Sequence, residues 1–286
     1  MKLFKSLKNC LTVGLLLAMP LFSLAQFKFP RHRFSAYLRD PSRYEIGVNG
    51  VLINGTFDGV TRITGYNNQF IADSTLKRNI KANPGVGVTL GVNVPIAASG
   101  HISVWALNIN AVANFYSWSA LNQTKSLEGT WTTPTTNELT ASSIQVALPV
   151  GIDWKVGADA IHSQRLVWGA SLGAGAMPHI NITTLEPSSV NDLVPSQQNI
   201  GVNPYAKVEG ALYMRTCFKV RVLYTMGNVE LFSTHDRIPS YNDGPFKMYN
   251  RNTLMVSLIW MPFSSRWGEY GWHNTYDSYN WNEKLN

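Results

Sequence analysis

The stretch that most constrains the fold runs from residue 144 to residue 156 and reads IQVALPVGIDWKV. Its even positions are all apolar: Ile144, Val146, Leu148, Val150, Ile152, Trp154 and Val156. Its odd positions hold Gln145, Ala147, Pro149, Gly151, Asp153 and Lys155. A period of two places the seven apolar side chains on one face of a strand and the small or charged ones on the other. Strands of soluble sandwiches usually run about 5–6 residues, whereas a tilted strand needs about 9–11 to cross a bilayer. The pattern predicts a wall between lipid and a polar lumen. Pro149 brings no ladder donor, so a bulge or bend is expected there.

Seven more segments repeat the pattern, at 43–55, 84–96, 101–117, 164–177, 200–214, 218–231 and 252–263. Outward faces are predicted for Tyr44, Ile46, Val48 and Leu52, for Val86 to Ile96 at every second residue, and for Phe218, Val220, Val222, Tyr224 and Met226. The same alternation turns Glu45, Asp153, Lys155, Lys207, Glu209, Lys219 and Arg221 inward. Short connections (97–100, 157–163, 215–217) alternate with long ones (56–83, 118–143, 178–199, 232–251). In an up-and-down barrel, odd and even connections emerge on opposite rims, and outer-membrane barrels have short periplasmic turns and long external loops. The fold class expected is therefore all-β: an up-and-down antiparallel transmembrane β-barrel of eight strands spanning 43–263, with both termini periplasmic. The interior of an eight-stranded barrel is only wide enough for side chains to fill. Buried charges must be paired or neutral, so the seven inward charges are expected to pair as a structural plug. Glu209 and Arg221, on neighbouring strands, are expected within one diagonal of each other.

Composition agrees with a chain partly solvated by lipid: charged residues are 14% and aromatic residues 12%, against roughly 25% charged in soluble domains. The formal charge is +7, but Lys2, Lys5 and Lys8 fall in the leader. The remaining excess is too small to argue for nucleic acid. Residues 1–25 read as a secretory signal peptide, with three lysines, an apolar run from Leu11 and small residues before Gln26. Cys10 lies in it, which leaves Cys217 alone and no intramolecular disulfide. Residues 26–42 form a basic, aromatic periplasmic arm with Lys28, Arg31, Arg33 and Arg39. Phe263 is expected to close the last strand. The tail 264–286 carries Trp267, Tyr270, Trp272, Tyr276, Tyr279 and Trp281. It is read either as a docking segment for a periplasmic or envelope protein partner or as aromatic packing on the lower rim.

The leader with its Ala-Gln junction, the Gly-rich strands GVGVTLGVNVPI and GASLGAGA, and the loop alternation together resemble the eight-stranded outer-membrane barrels of the OmpA/OmpX/PorT-like group of Bacteroidota. The resemblance covers about residues 43–263. It implies outer-membrane localisation with lipid and lipopolysaccharide as surroundings. It does not imply one activity, because the fold hosts adhesins, enzymes, secretion accessories and structural proteins. No phosphate loop, dinucleotide fingerprint or metal-ligand spacing is present, so no cofactor is expected.

The expected function is that of a non-enzymatic barrel with a structural or interaction role, accessory to an envelope assembly or secretion complex. A small-solute channel is the alternative. A third reading is a lipid A-modifying enzyme: a deacylase family carries a His-x-Ser pair on one strand, and this chain has His101-Ile102-Ser103. That pair falls beside a short turn, and the nearest downstream glutamate, Glu128, falls on the opposite rim.

Overall fold

The computed structural model describes residues 41–266 apart from 65–69, 99–101, 120, 122–123, 127–130, 133–139, 162–165, 187–195 and 234–245. Twelve strand segments are present: β1 Tyr44–Thr64, β2 Phe70–Lys81, β3 Gly85–Ala98, β4 Ser103–Trp118, β5 Thr124–Ser126, β6 Trp131–Thr132, β7 Thr140–Ala147, β8 Val150–Gly157, β9 Trp168–Glu186, β10 Ser196–Met214, β11 Thr216–Ser233 and β12 Phe246–Met261. Segments β2 and β3 succeed one another along β1 as a single stave. Segments β7 and β8 do the same between β4 and β9. Pairing of β12 with β1, from Ile46 opposite Trp260 upward, closes the sheet. The result is an antiparallel barrel of eight staves. The small β5–β6 hairpin is attached to the upper end of β1. The rim joined by short turns is taken here as the lower one.

Outside the barrel's lower half the alternation places Ile46, Val48, Leu52, Val86, Val88, Leu90, Val146, Ile152, Leu172, Val208, Val220 and Leu258 on the surface. Tyr44, Trp154, Trp168, Phe218 and Trp260 ring the lower rim on the same outer face. The apolar outer residues of β1 stop at Leu52, yet the strand continues to Thr64. Beyond this belt the polarity inverts. Asn54, Lys77, Asn79, Lys81, Lys247 and Arg251 lie outside. Val51, Ile53, Phe57, Ile80, Tyr116, Trp118, Leu231, Phe232, Phe246 and Met248 fill the inside. Phe246 stacks between Phe57 and Phe232, with ring centroids 5.0 and 5.9 Å away. The upper barrel is therefore built like a water-soluble barrel, apolar in and polar out.

That inversion explains where the sequence reading falls short. Segments 56–64 and 70–81, read as a long loop, are strand. So are 178–186, 196–199, 232–233 and 246–251. Among the described side chains of these segments Lys77, Asn79, Lys81, Lys247 and Arg251 face outward and Ile180 is an apolar exception, so no continuous apolar face marks them. Pro149 makes no bulge: Ala147 pairs with Val112 and Val150 with Ile109, so the register runs through unbroken. The neighbours keep their bonds, with Leu148 N–H donating to Pro178 O and Asn110 N–H to Pro149 O, both at 2.9 Å. Register shifts occur instead at Asn54/Gly55 and Pro95/Ala97. Val94, expected outside, is buried with Val104 and Ala160. The last strand ends at Met261 rather than Phe263, because Pro262 opens a 3-10 turn over Pro262–Arg266. Ser264 Oγ secures that turn, donating to Met261 O at 2.7 Å and accepting from Cys217 N–H at 2.6 Å. Cys217 lies buried in β11, not in a turn. The segments 1–25 and 26–40, all six tail aromatics, His101 and Glu128 fall outside the described residues.

Candidate functional site: the lumenal ion network

The alternation that faces Val146 and Trp154 outward brings Asp153 and Lys155 into the lumen beside the inner residues of β9, β10 and β11. Glu45, Asp153, Lys155, Lys207, Glu209, Lys219 and Arg221 are all buried there. Glu209 and Arg221 stand directly opposite each other on β10 and β11. Arg221 Nε donates to Glu209 Oε1 and its Nη2 to Glu45 Oε2, each at 2.5 Å, while Nη1 reaches Asn110 Oδ1 at 3.0 Å. The planar guanidinium thus ties β11 to β10, β1 and β4, a geometry that an ammonium does not offer. Lys207 Nζ lies 2.8 Å from Asp153, 3.1 Å from Glu209 and 2.6 Å from Asn108 Oδ1. Lys219 Nζ lies 2.6 Å from Glu45 Oε1. Ser171 Oγ adds a bond to Glu209 at 3.1 Å.

An amide belt caps the charges. Asn93 donates to Glu45, Asn108 donates to Asn93 at 2.7 Å, and Asn110 donates to Asn108. Higher up, Asn49 bonds Asn114, which bonds Gln145. Glycines on the inner wall make the room. A Cβ on Gly173 would sit 2.1 Å from Asp153 Oδ1 and 2.9 Å from Lys207 Cε; one on Gly91 would sit 2.2 Å from Asn110 Oδ1. The Gly-rich run of β9 is therefore the floor on which the ion pairs lie.

One member is absent from the sequence reading. Asp159 sits on a single helical turn, α1 (Ala158–Ile161), inside the short connection after β8. Its carboxylate reaches into the lumen, 2.6 Å from Lys155 Nζ and 2.7 Å from Lys219 Nζ. Burial pushes this carboxyl upward, but Lys155 and Lys219 outweigh it and hold it below the usual carboxylate range. The period-two pattern ends at Gly157, whose φ of 91° turns the chain inward, so strand parity says nothing about Asp159. The available signal was charge: the seven inward residues read from sequence are three acids and four bases, and a buried set must balance. With Asp159 the ion-paired lumenal groups number four of each sign.

The described residues contain no group of three His, Cys, Asp or Glu side chains able to hold a metal. His179 is buried, with Nδ1 against Met177 O at 3.0 Å. Every acid in the network is held by a base, so the arrangement neutralises and fills.

No protein-family model and no curated protein matches the chain. Among solved structures, similar chains include OprG of Pseudomonas aeruginosa (10% identity, 76% of this chain and 94% of that one, TM-score 0.43). The outer membrane protease OmpT of Escherichia coli gives 7% identity over 77% of this chain and 96% of that one, TM-score 0.41. Neisserial surface protein A gives 9% identity over 76% and 96%, TM-score 0.36. At this level these likenesses carry no functional assignment.

Proposed function

We propose that the chain is an outer-membrane barrel with a structural or interaction role, its lumen closed and its upper half standing clear of the bilayer. The observation that carries this reading is the opposed filling of one barrel: an apolar belt outside an ion-paired lower lumen, and a polar skin outside an apolar upper core. β1 has 21 residues, about 70 Å of strand at roughly 3.4 Å per residue. Tilted by about 45°, it rises roughly 50 Å, twice an outer-membrane apolar band of about 25 Å. In this reading the short turns face the periplasm, and the upper rim presents a rigid stalk to partners outside the cell. The tail residues Trp267, Tyr270, Trp272, Tyr276, Tyr279 and Trp281 are assigned to docking an envelope partner from below. We read the role as non-enzymatic, in keeping with a network in which each described lumenal carboxylate faces a lysine or arginine.

The membrane reading is tested by charge on the belt. Val146 is 52% exposed in its middle. Val146→Arg is expected to destabilise the inserted barrel by about 2–4 kcal/mol and to lower its recovery from the outer-membrane fraction. Asn79→Arg, on the polar skin, is expected to change neither. Equal tolerance of both substitutions would contradict a lipid-facing belt.

A further inference from the structure

We propose that Lys155 and Lys219 form a carboxylate-binding site at the lower mouth of the lumen, which the chain fills with its own Asp159. The inference rests on the buried geometry alone and does not depend on the function proposed above. Three features carry it. First, Asp159 is not a wall residue: it is delivered by α1, which folds back over the mouth after the left-handed turn at Gly157. Gly169 makes room for it, since a Cβ there would meet the backbone nitrogens of Ala158 and Asp159 at 3.3 Å. Second, the two Asp159 oxygens are divided between the two ammoniums, Oδ2 to Lys155 at 2.6 Å and Oδ1 to Lys219 at 2.7 Å. Two cations from different staves converge on one carboxylate, as they would on a bound anion. Third, the charge count assigns the negative charge to the turn. The lumenal ion-paired groups on the staves are Glu45, Asp153 and Glu209 against Lys155, Lys207, Lys219 and Arg221. Among these described pairs the staves alone hold one cation in excess, and α1 supplies its counter-charge.

The neighbours define what the site accepts. Lys219 also holds Glu45 at 2.6 Å, and Lys155 stands 3.9 Å from Glu209. The surroundings are apolar: Ala158, Ala211, Cys217 and Met261 form one buried cluster at this end of the lumen. A compact monoanion with two oxygens on one carbon fits; a phosphate or a second full carboxylate pair would overcharge it.

The test is chemical rescue in the full-length chain refolded into detergent micelles. Asp159→Ala removes the carboxylate and leaves a space of its size. Its heat-induced unfolding midpoint is expected to fall by on the order of 10 °C. Sodium formate is expected to restore at least half of that loss saturably, beyond a chloride control of equal ionic strength. The wild type, and Asp159→Asn with the space filled, are expected to respond to formate only as to chloride. If Asp159→Ala does not fold in plain buffer, refolding yield with formate against chloride becomes the readout, and folding in formate alone supports the site. An unchanged midpoint in Asp159→Ala, formate acting no better than chloride, or equal rescue of Asp159→Asn would overturn the proposal.

Discussion

Arg221→Met is expected to lower the unfolding free energy by about 3–5 kcal/mol, the usual cost of removing one partner from a buried charge pair. The residue sits at the centre of the network, holding Glu45 and Glu209 at 2.5 Å each and Asn110 at 3.0 Å. Its loss leaves two buried carboxylates sharing Lys155, Lys207 and Lys219, and strips three hydrogen bonds that no other side chain can make. Arg221→Lys is expected to fall between wild type and Met, because a single ammonium cannot reach both carboxylates in the fork geometry. Adding Glu209→Gln to Arg221→Met removes one of the stranded charges and is expected to recover part of the loss, a coupling that a double-mutant cycle measures. Urea unfolding followed by tryptophan fluorescence is the measurement. Strictly additive effects would mean that the two groups do not act as a pair.

Gly175→Ala is expected to do comparable or greater damage for a steric reason. A Cβ at this position would lie 2.2 Å from Val150 O and 2.5 Å from Gly151 Cα. Both obstacles are backbone, so no side chain can swing aside and β8 and β9 must part. Overpacking usually costs about 1–3 kcal/mol, and here it also opens the ladder next to Asp153, one inward pair above it. Refolding yield of the compact, heat-modifiable form is expected to drop sharply. Gly210→Ala is the control: it faces outward with no atom within 4 Å of the added carbon. Its effect is expected within about 0.5 kcal/mol of wild type. Similar yields for Gly175→Ala and Gly210→Ala would show that the inner glycines are not needed for close approach.

The lower half of the barrel was legible because an apolar outer face and a charged lumen make the period-two signal strong on both faces at once. Ile144–Val156 states it most fully, and the direct pairing of Glu209 with Arg221 tightens the diagonal relation inferred from the turn between them. The upper half was not legible as strand. There Phe57 and Ile80 point in and Asn79 and Lys81 point out, which is alternation of the opposite sense, mixed with Thr, Asn and Gly. A reading tuned to apolar-out segments ends each strand where the belt ends. Pro149 misled for a local reason: its carbonyl still accepts from Asn110, so the ladder loses one donor without changing register. Asp159 was missed because parity governs strands and not turns, although the surplus base among the seven inward charges pointed to a further acid. Trp118, Phe232 and Phe246 of the apolar upper core lie just past or outside the segments read as strand and went unread for the same reason.

The central claim is that this lumen is closed by charge pairs below and apolar packing above. Single-channel recording of the full-length chain in planar bilayers tests it most directly. The wild type is expected to show no unitary conductance under applied voltage, with Arg221→Met opening measurable steps if it remains inserted. Regular steps from the wild type, unchanged by Arg221→Met, would contradict a sealed barrel and favour a small-solute channel instead.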